Sequence, residues 1–201
     1  MTLFDSFNGE LLDQLVGTAE EFYAKHGYSR DEYWARIVQA RKEREAVMKI
    51  APVRKLREVF PNEAKNLSPW VAANLDRVGT AAGMAPGALQ LVRTEHPLKR
   101  RNRIDVLARI KIGARDRRVV VENQLEPSDH DHLGRLLTYS IEVEAYAAIW
   151  IAPSFTDEHL DALDELTRRM NCQFKAVRIE ARALDDGDYR KDLIPARGEA
   201  Y

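Results

Sequence analysis

Two acidic residues stand where extended segments of the chain would present them side by side. Asp105 interrupts the apolar alternation of residues 103–112, and Glu122 directly follows Val119-Val120-Val121. Gln124 comes two residues after Glu122, so both side chains would share one face of a strand. Paired carboxylates suit a hard divalent ion such as Mg²⁺ or Mn²⁺, which takes oxygen ligands and keeps several waters. Such an ion lowers the pKa of a bound water and stabilises the charge that develops on a phosphodiester.

The segments that carry these residues predict an antiparallel hairpin. Apolar alternation predicts strands over Arg103–Ile112 and Arg118–Leu125, joined by a turn at Gly113-Ala114-Arg115-Asp116. A tightly paired hairpin would bring the two carboxylates and the amide together at one site. Alternatively, the acids would lie on a solvated sheet face and pair with nearby Arg and Lys side chains. The spacing alone leaves both interpretations open.

Local positive charge accompanies the hairpin although the whole chain is nearly neutral. The formal net charge is −1, which excludes a generic polycation that coats nucleic acid. Residues 99–118 nevertheless carry many more Lys and Arg residues than acids. A local patch for a phosphate backbone and an ordinary solvated strand edge are both compatible with such a run.

The remaining segments predict an α/β protein. Apolar spacing and capping residues predict helices over 9–25, 29–50, 53–59, 68–82, 130–143 and 157–170. Further strands are predicted over 89–94, 145–152 and 174–179. This order predicts a mixed β-sheet flanked by helices, preceded by an N-terminal helical extension. The chain would then divide into the extension (1–52), a core (53–184) and a polar, loosely held tail (185–201).

The strings around the acids resemble a known enzyme superfamily. Asp105, followed a hairpin later by Glu122-Asn123-Gln124, is similar to the signature of the PD-(D/E)xK, or restriction-endonuclease-like, nucleases. The strings Asp129-His130-Asp131-His132-Leu133-Gly134 and Ile149-Trp150-Ile151-Ala152 resemble an uncharacterised bacterial group within it. The resemblance covers roughly residues 55–180. It implies a restriction-endonuclease-like fold and a metal-dependent deoxyribonuclease, a phosphodiester hydrolase acting in DNA repair or in defence against foreign DNA.

The resemblance also implies roles for individual residues. Asp105 and Glu122 would hold Mg²⁺ or Mn²⁺, and Gln124 would position the attacking water. Glu63 and Glu95 are candidate further metal ligands. Candidate DNA-binding residues are Arg101, Arg103, Lys111, Arg118, His132 and Arg135.

Two departures from the superfamily pattern concern the charge of the site. Gln124 stands where the superfamily usually has Lys, and Arg135 stands where relatives tend to have Gln. One hypothesis is that Lys111 or Arg118 supplies the missing cation. Because Gln124 carries no charge, a nucleic-acid-binding or protein-interaction module that has lost cleavage is an alternative function.

The remaining features bound the setting of the protein. The acids and histidines of 129–132 favour a helix cap over a zinc site, because residues one and two apart do not face each other on a helix. A single cysteine, Cys172, and the lack of a signal-peptide pattern predict a reducing, cytoplasmic location. No apolar run approaches the length of a membrane span. DNA is the expected partner, and a homodimer is compatible with the sequence.

Overall fold

The computed structural model describes residues 53–99, 102–183 and 188–197, together with Ala35. All of these except Ala35 belong to the second of the chain's two units, Pro52–Tyr201. The helices predicted over 9–25 and 29–50 lie outside the described residues, apart from Ala35, which is helical. Among the described residues, no helix has the length and apolar character that crossing a membrane requires.

Within the described residues, seven strands form one mixed sheet. The order across the sheet is β1-β6-β5-β4-β3-β2, with β7 paired to β6. The β4–β5 and β5–β6 pairs are parallel, and the other pairs are antiparallel. The strands are β1 (Val53–Arg54), β2 (Leu89–Pro97), β3 (Arg103–Ile112), β4 (Arg115–Asn123), β5 (Ala147–Ala152), β6 (Gln173–Ala183) and β7 (Tyr189–Pro195).

Helices cover both faces of the sheet and enclose two apolar cores, which confirms the predicted mixed sheet flanked by helices. On one face, Leu67 and Val71 belong to the same buried apolar core as Val121 of β4. On the other face, Leu136 packs with Val120. The first face carries α1 (Leu56–Val59), a π-helical segment (Glu63–Leu67), α2 (Ser68–Ala73) and α3 (Leu75–Ala81); the second carries α4 (His130–Glu142) and α5 (Asp157–Arg169).

The predicted hairpin of β3 and β4 is confirmed. Its register runs from Ile112 opposite Arg115 to Val106 opposite Val121. Gly113 in the turn has φ +60°, a left-handed conformation that favours glycine. Strand β4 begins three residues earlier than predicted because the turn is tighter than the four residues assigned to it.

The two helices that follow β4 and β5 begin at residues that the sequence marks as caps. The Asp129 side chain accepts the backbone N–H of His132 at the start of α4. Thr156 does the same for His159 at the start of α5. Each cap satisfies an N–H group that has no partner inside the helix.

Two helix predictions before the sheet are wrong in their limits. Val53 and Arg54 are not helical, because they pair antiparallel with β6 as strand β1. Ser68 is not an N-cap: it is buried inside a helical run that Asn62 caps by accepting the N–H of Lys65. The run that was expected to be continuous to residue 82 is interrupted at Asn74, which separates α2 from α3.

The C-terminal residues also differ from the expected loosely held tail. Tyr189–Pro195 forms β7, which pairs antiparallel with β6 from Ala183 to Val177. Beyond it, Arg197 forms ion pairs with Asp161 and Asp164 of α5. Strand β7 escaped prediction because it is a half-exposed edge strand, so its side chains lack an apolar face.

Leu67→Ala should lower the free energy of unfolding by about 2–5 kcal/mol, because Leu67 is fully buried and its truncation leaves a cavity. The matched control is Leu91→Ala, which removes an exposed side chain and should change stability by less than about 0.5 kcal/mol. Chemical denaturation measures both. Equal stabilities of the two variants would contradict the packing of the π-helical segment against the sheet.

Candidate active site

Strands β3 and β4 separate at Asp105 and Glu122, the two acids predicted to be catalytic. Their backbone pairing ends at Val106 opposite Val121, and in the same register the next residues are Asp105 and Glu122. Beyond that point a side chain replaces the strand partner: the Oδ2 atom of Asp105 accepts the backbone N–H of Asn123 at 2.8 Å. The hairpin therefore places the two acids side by side where the strands separate.

Glu122 is a buried carboxylate without a close ionic partner. Its side chain is 3 % exposed, and among the described residues the nearest cation is Arg135, whose Nη1 atom lies 4.0 Å from Oε1. Its other oxygen, Oε2, is buried and has no hydrogen-bond partner among the described residues. Burying an ionised carboxylate without partners is unfavourable. The arrangement therefore favours either a bound proton or a bound cation.

Glu63 and Glu95 bring two further carboxylates to the same place. Glu63, in the π-helical segment, accepts the backbone N–H of Leu125 through Oε1 at 3.1 Å. Glu95 lies on β2 between residues paired with positions 104 and 106, which places it opposite Asp105. Its backbone has φ +49°, and its Oε1 atom is buried without a partner. Left-handed non-glycine residues and unpaired buried polar atoms are enriched at functional sites.

Burial and the charges of neighbouring acids raise the pKa values of Asp105 and Glu122. Burial raises the pKa of Asp105 from 3.8 to about 7; the Asn123 N–H lowers it, and the charges of Glu95 and Glu63 raise it further. Burial also raises the pKa of Glu122 well above its ordinary value, and the charge of Asp105 adds to that effect. The charge of Arg135 lowers both values. The cluster thus carries excess negative potential, which a cation would relieve.

The donor set fits a divalent ion that keeps part of its water shell. Among the described residues, no group of three or more His, Cys, Asp or Glu side chains is arranged so that it could hold a metal ion. Mg²⁺ does not require one, because it is usually held by one or two carboxylates and several waters. Asp105 and Glu122 would supply the two carboxylates, and the unpaired Oε2 of Glu122 is an available ligand atom.

Gln124 is committed to hydrogen bonds within the protein. Both N–H groups of its amide are used, one by the carbonyl of Pro127 at 2.7 Å and one by Asp129 at 3.2 Å. Its Oε1 atom accepts the indole N–H of Trp150 at 2.7 Å. The side chain is fully buried. Only the second lone pair of Oε1 is left for a water, so its predicted role in water positioning stays a prediction.

The cations expected to replace a lysine at position 124 lie elsewhere. Lys111 is six residues from Asp105 along β3, roughly 20 Å at strand spacing. Arg118 donates to the carbonyl of Val143, just beyond the end of α4. The hypothesis that one of these two supplies the missing cation is therefore wrong. Arg103 is exposed and only two residues from Asp105.

The other predicted DNA-binding residues have separate surroundings. Arg101 lies outside the described residues. The ring of His132 pairs with the Asp129 carboxylate at 2.9 Å, so it belongs to the helix cap. Burial raises the pKa of Asp129, but hydrogen bonds and charge from His132 outweigh burial and lower it. Among the candidates that the structure describes, Arg135 is the one that lies beside the buried carboxylate of Glu122.

Sequence reasoning did not include Tyr139 in the site. Tyr139 is buried on α4, four residues after Arg135, so the two share a helix face. Burial raises the pKa of its hydroxyl, and the nearby charge of Glu122 raises it further. The four-residue spacing from Arg135 was the signal available in the sequence.

Comparisons with known proteins give a likeness to a solved structure and no match by sequence. No family model and no curated protein matches the chain. The chain is similar to the crystal structure of a repair endonuclease from Pyrococcus abyssi, with 21 % sequence identity and a TM-score of 0.42. The match covers 58 % of this chain and 47 % of that one, so the chain spans about half the length of that protein.

Asp105→Asn should stabilise the metal-free protein at about pH 8 but not below about pH 4. The folded-state pKa of Asp105 is raised, so its contribution to stability is complete below its ordinary pKa of 3.8 and is lost as the pH rises through about 7. Asparagine stays neutral and can still accept the Asn123 N–H. Thermal unfolding in chelator should give a Tm gain of a few degrees at about pH 8 only.

The control for this prediction is Glu144→Gln, which neutralises an exposed acid just beyond the end of α4. Its Tm should follow the wild type across the pH range. A gain for Asp105→Asn that is equal at both pH values would contradict the raised pKa of Asp105.

Proposed function

We propose that this protein is a metal-dependent nuclease of the PD-(D/E)xK type that hydrolyses DNA phosphodiester bonds. The observation that carries the proposal is the pair of carboxylates where β3 and β4 separate, the half-buried Asp105 beside the buried Glu122. The negative charges that the acids place on one another, and the Glu122 oxygen that has no hydrogen-bond partner among the described residues, suit a divalent cation there. Repair of DNA and defence against foreign DNA are both compatible with this activity.

Each acid of the site has a separate role in binding the metal ion and the water. A bound Mg²⁺ or Mn²⁺ would supply an activated water and stabilise charge on the scissile phosphate. Asp105 has one oxygen fixed by the Asn123 N–H, which orients the carboxylate and leaves Oδ1 for a ligand. The Oε2 atom of Glu122 has no hydrogen-bond partner in the part of the chain that the structure describes. Glu95 and Glu63 add negative charge that strengthens cation binding, and they provide acceptors for ordered water.

DNA would approach from the side on which the exposed cations lie. Arg103 is exposed at the start of β3, and the Arg135 side chain is half exposed beside Glu122. Guanidinium groups suit phosphate oxygens because they donate several hydrogen bonds in one plane. These two residues are the proposed phosphate contacts closest to the carboxylate pair.

A second candidate function is a DNA-binding module without cleavage. It is favoured by Gln124, which is neutral, fully buried and held by three hydrogen bonds where superfamily enzymes usually have a lysine. Such a module would bind DNA and divalent ions without metal-stimulated turnover. The cleavage assay below separates the two functions.

Purified protein should cut DNA only when Mg²⁺ or Mn²⁺ is present, and Asp105→Asn and Glu122→Gln should each lower the rate at least about 100-fold. Both substitutions remove a metal-binding charge, and loss of several kcal/mol of transition-state stabilisation corresponds to such a factor. Linear duplex, circular duplex and single-stranded substrates identify the preferred form of DNA.

Asp116→Asn and Glu144→Gln are the matched controls, since both neutralise exposed acids away from the site. Their cleavage rates should stay within about twofold of the wild type. If no substrate is cut with either metal while DNA binding persists, the module without cleavage replaces the nuclease.

Arg103→Gln should weaken DNA binding similarly for different sequences and reduce the slope of log affinity against log salt by about one. The physical reason is that each neutralised phosphate contact releases about one counterion. Arg168→Gln on α5 is the control, because Arg168 is exposed and pairs with Glu165. Fluorescence anisotropy at several salt concentrations measures both slopes, and an unchanged slope for Arg103→Gln would remove this residue from the interface.

A further inference from the structure

The site contains four acids close together, yet the proposed reaction adds negative charge to a phosphate. Phosphodiester cleavage needs positive groups aimed at the phosphoryl oxygens, where charge develops. Gln124 brings no charge and has both of its N–H donors occupied. The remaining question is which residue of this chain places a cation there.

Arg135 is the cation that the structure sets beside the acids. Among the described residues, it is the only Lys, Arg or His side chain within 4.0 Å of a carboxylate oxygen of Asp105 or Glu122. It lowers the pKa of both acids, so its charge reaches the whole pair. No direct hydrogen bond ties it to Glu122, because the contact is 4.0 Å long.

The guanidinium of Arg135 also has N–H groups that are exposed to solvent and available to a ligand. The side chain is 52 % exposed, whereas Glu122 beside it is 3 % exposed. It therefore lies between solvent and the buried carboxylate, which is the position that an arriving phosphate would occupy. A half-exposed guanidinium can present two parallel N–H groups to phosphate oxygens.

The start of α4 is fixed in a way that holds Arg135 in this place. Gln124 donates to Asp129, and Asp129 caps α4 through the N–H of His132. Gln124 is itself held by Trp150 of β5. The helix that carries Arg135 is thus tied at its first turn to the strand end that carries Glu122.

We propose that Arg135 is a catalytic residue of the nuclease: it binds a phosphoryl oxygen of the scissile phosphate and supplies the positive charge that position 124 lacks. This inference rests on the proposed function, because it assigns a role within that reaction. It makes a distinctive prediction, since a cation next to the metal-binding acids weakens metal binding while it assists cleavage. Substitution of a residue with a merely structural role would instead weaken metal binding and slow cleavage together.

The experiment compares Arg135→Gln, Arg135→Lys and the control Arg168→Gln. Cleavage is measured by single-turnover kinetics, and Mn²⁺ affinity is measured separately on DNA-free protein by titration. Arg135→Gln should lower the cleavage rate about 100-fold or more while binding Mn²⁺ severalfold more tightly than the wild type. Arg135→Lys should recover part of the rate, and Arg168→Gln should match the wild type in both measurements.

The outcomes distinguish this inference from the proposed function. Cleavage by Arg135→Gln at the wild-type rate, or a parallel loss of cleavage and Mn²⁺ affinity, would overturn the catalytic role of Arg135 and leave the nuclease standing. A wild type that cuts nothing would overturn the nuclease, and with it the catalytic role. Mn²⁺ binding would then show whether Arg135 still opposes the metal, since tighter binding by Arg135→Gln does not depend on turnover.

Discussion

The N–H groups at the end of β4 determine how the site is assembled. Each buried backbone N–H needs an acceptor. The backbone N–H of Gln124 donates to the carbonyl of Ile151 on β5, as in an ordinary strand pair. On the side of β4 that faces β3, the backbone pairing has already ended at Val121. There the N–H of Asn123 is taken by Asp105 and that of Leu125 by Glu63. The same hydrogen bonds that complete the strand therefore draw two carboxylates towards Glu122, and the chemistry of the site follows from a requirement of the sheet.

This arrangement has an electrostatic cost that the fold offsets only in part. Burial and the charges of the neighbouring acids raise the pKa of Asp105 and of Glu122. Glu95 adds a left-handed backbone and a buried oxygen that has no hydrogen-bond partner among the described residues. Arg135 relieves the repulsion but stays at the edge of contact distance and half exposed. A purely structural cluster would be expected to pair its charges more closely or replace them with apolar groups. Residual strain and unpaired polar atoms are instead typical of sites whose partner is a ligand.

The parts of the fold that sequence predicts are those governed by local periodicity. The hairpin, α4 and α5 follow from alternation, helical spacing and caps such as Asp129 and Thr156. Strands β1 and β7 escape because pairing with β6, not their own pattern, makes them extended. In the site, Asp105 and Glu122 stand out as acids within apolar strands. The hydrogen-bond partners of Gln124 cannot be predicted in the same way, because Trp150 and Asp129 lie on separate elements that only the folded chain brings to it.

The basic residues between positions 99 and 118 are close in sequence, but the extended strands place several of them far from the acids of the site. Arg117 lies over the ring of Tyr146, and Arg118 donates to the carbonyl of Val143, so both stabilise the region beyond the end of α4. Arg109 pairs with Asp116 across the hairpin. Extended strands carry these residues away from the acids by about 3.3 Å per residue. Cations for a scissile phosphate must therefore come from the other end of the hairpin or from the helix packed beside it, and Arg135 on α4 meets that condition.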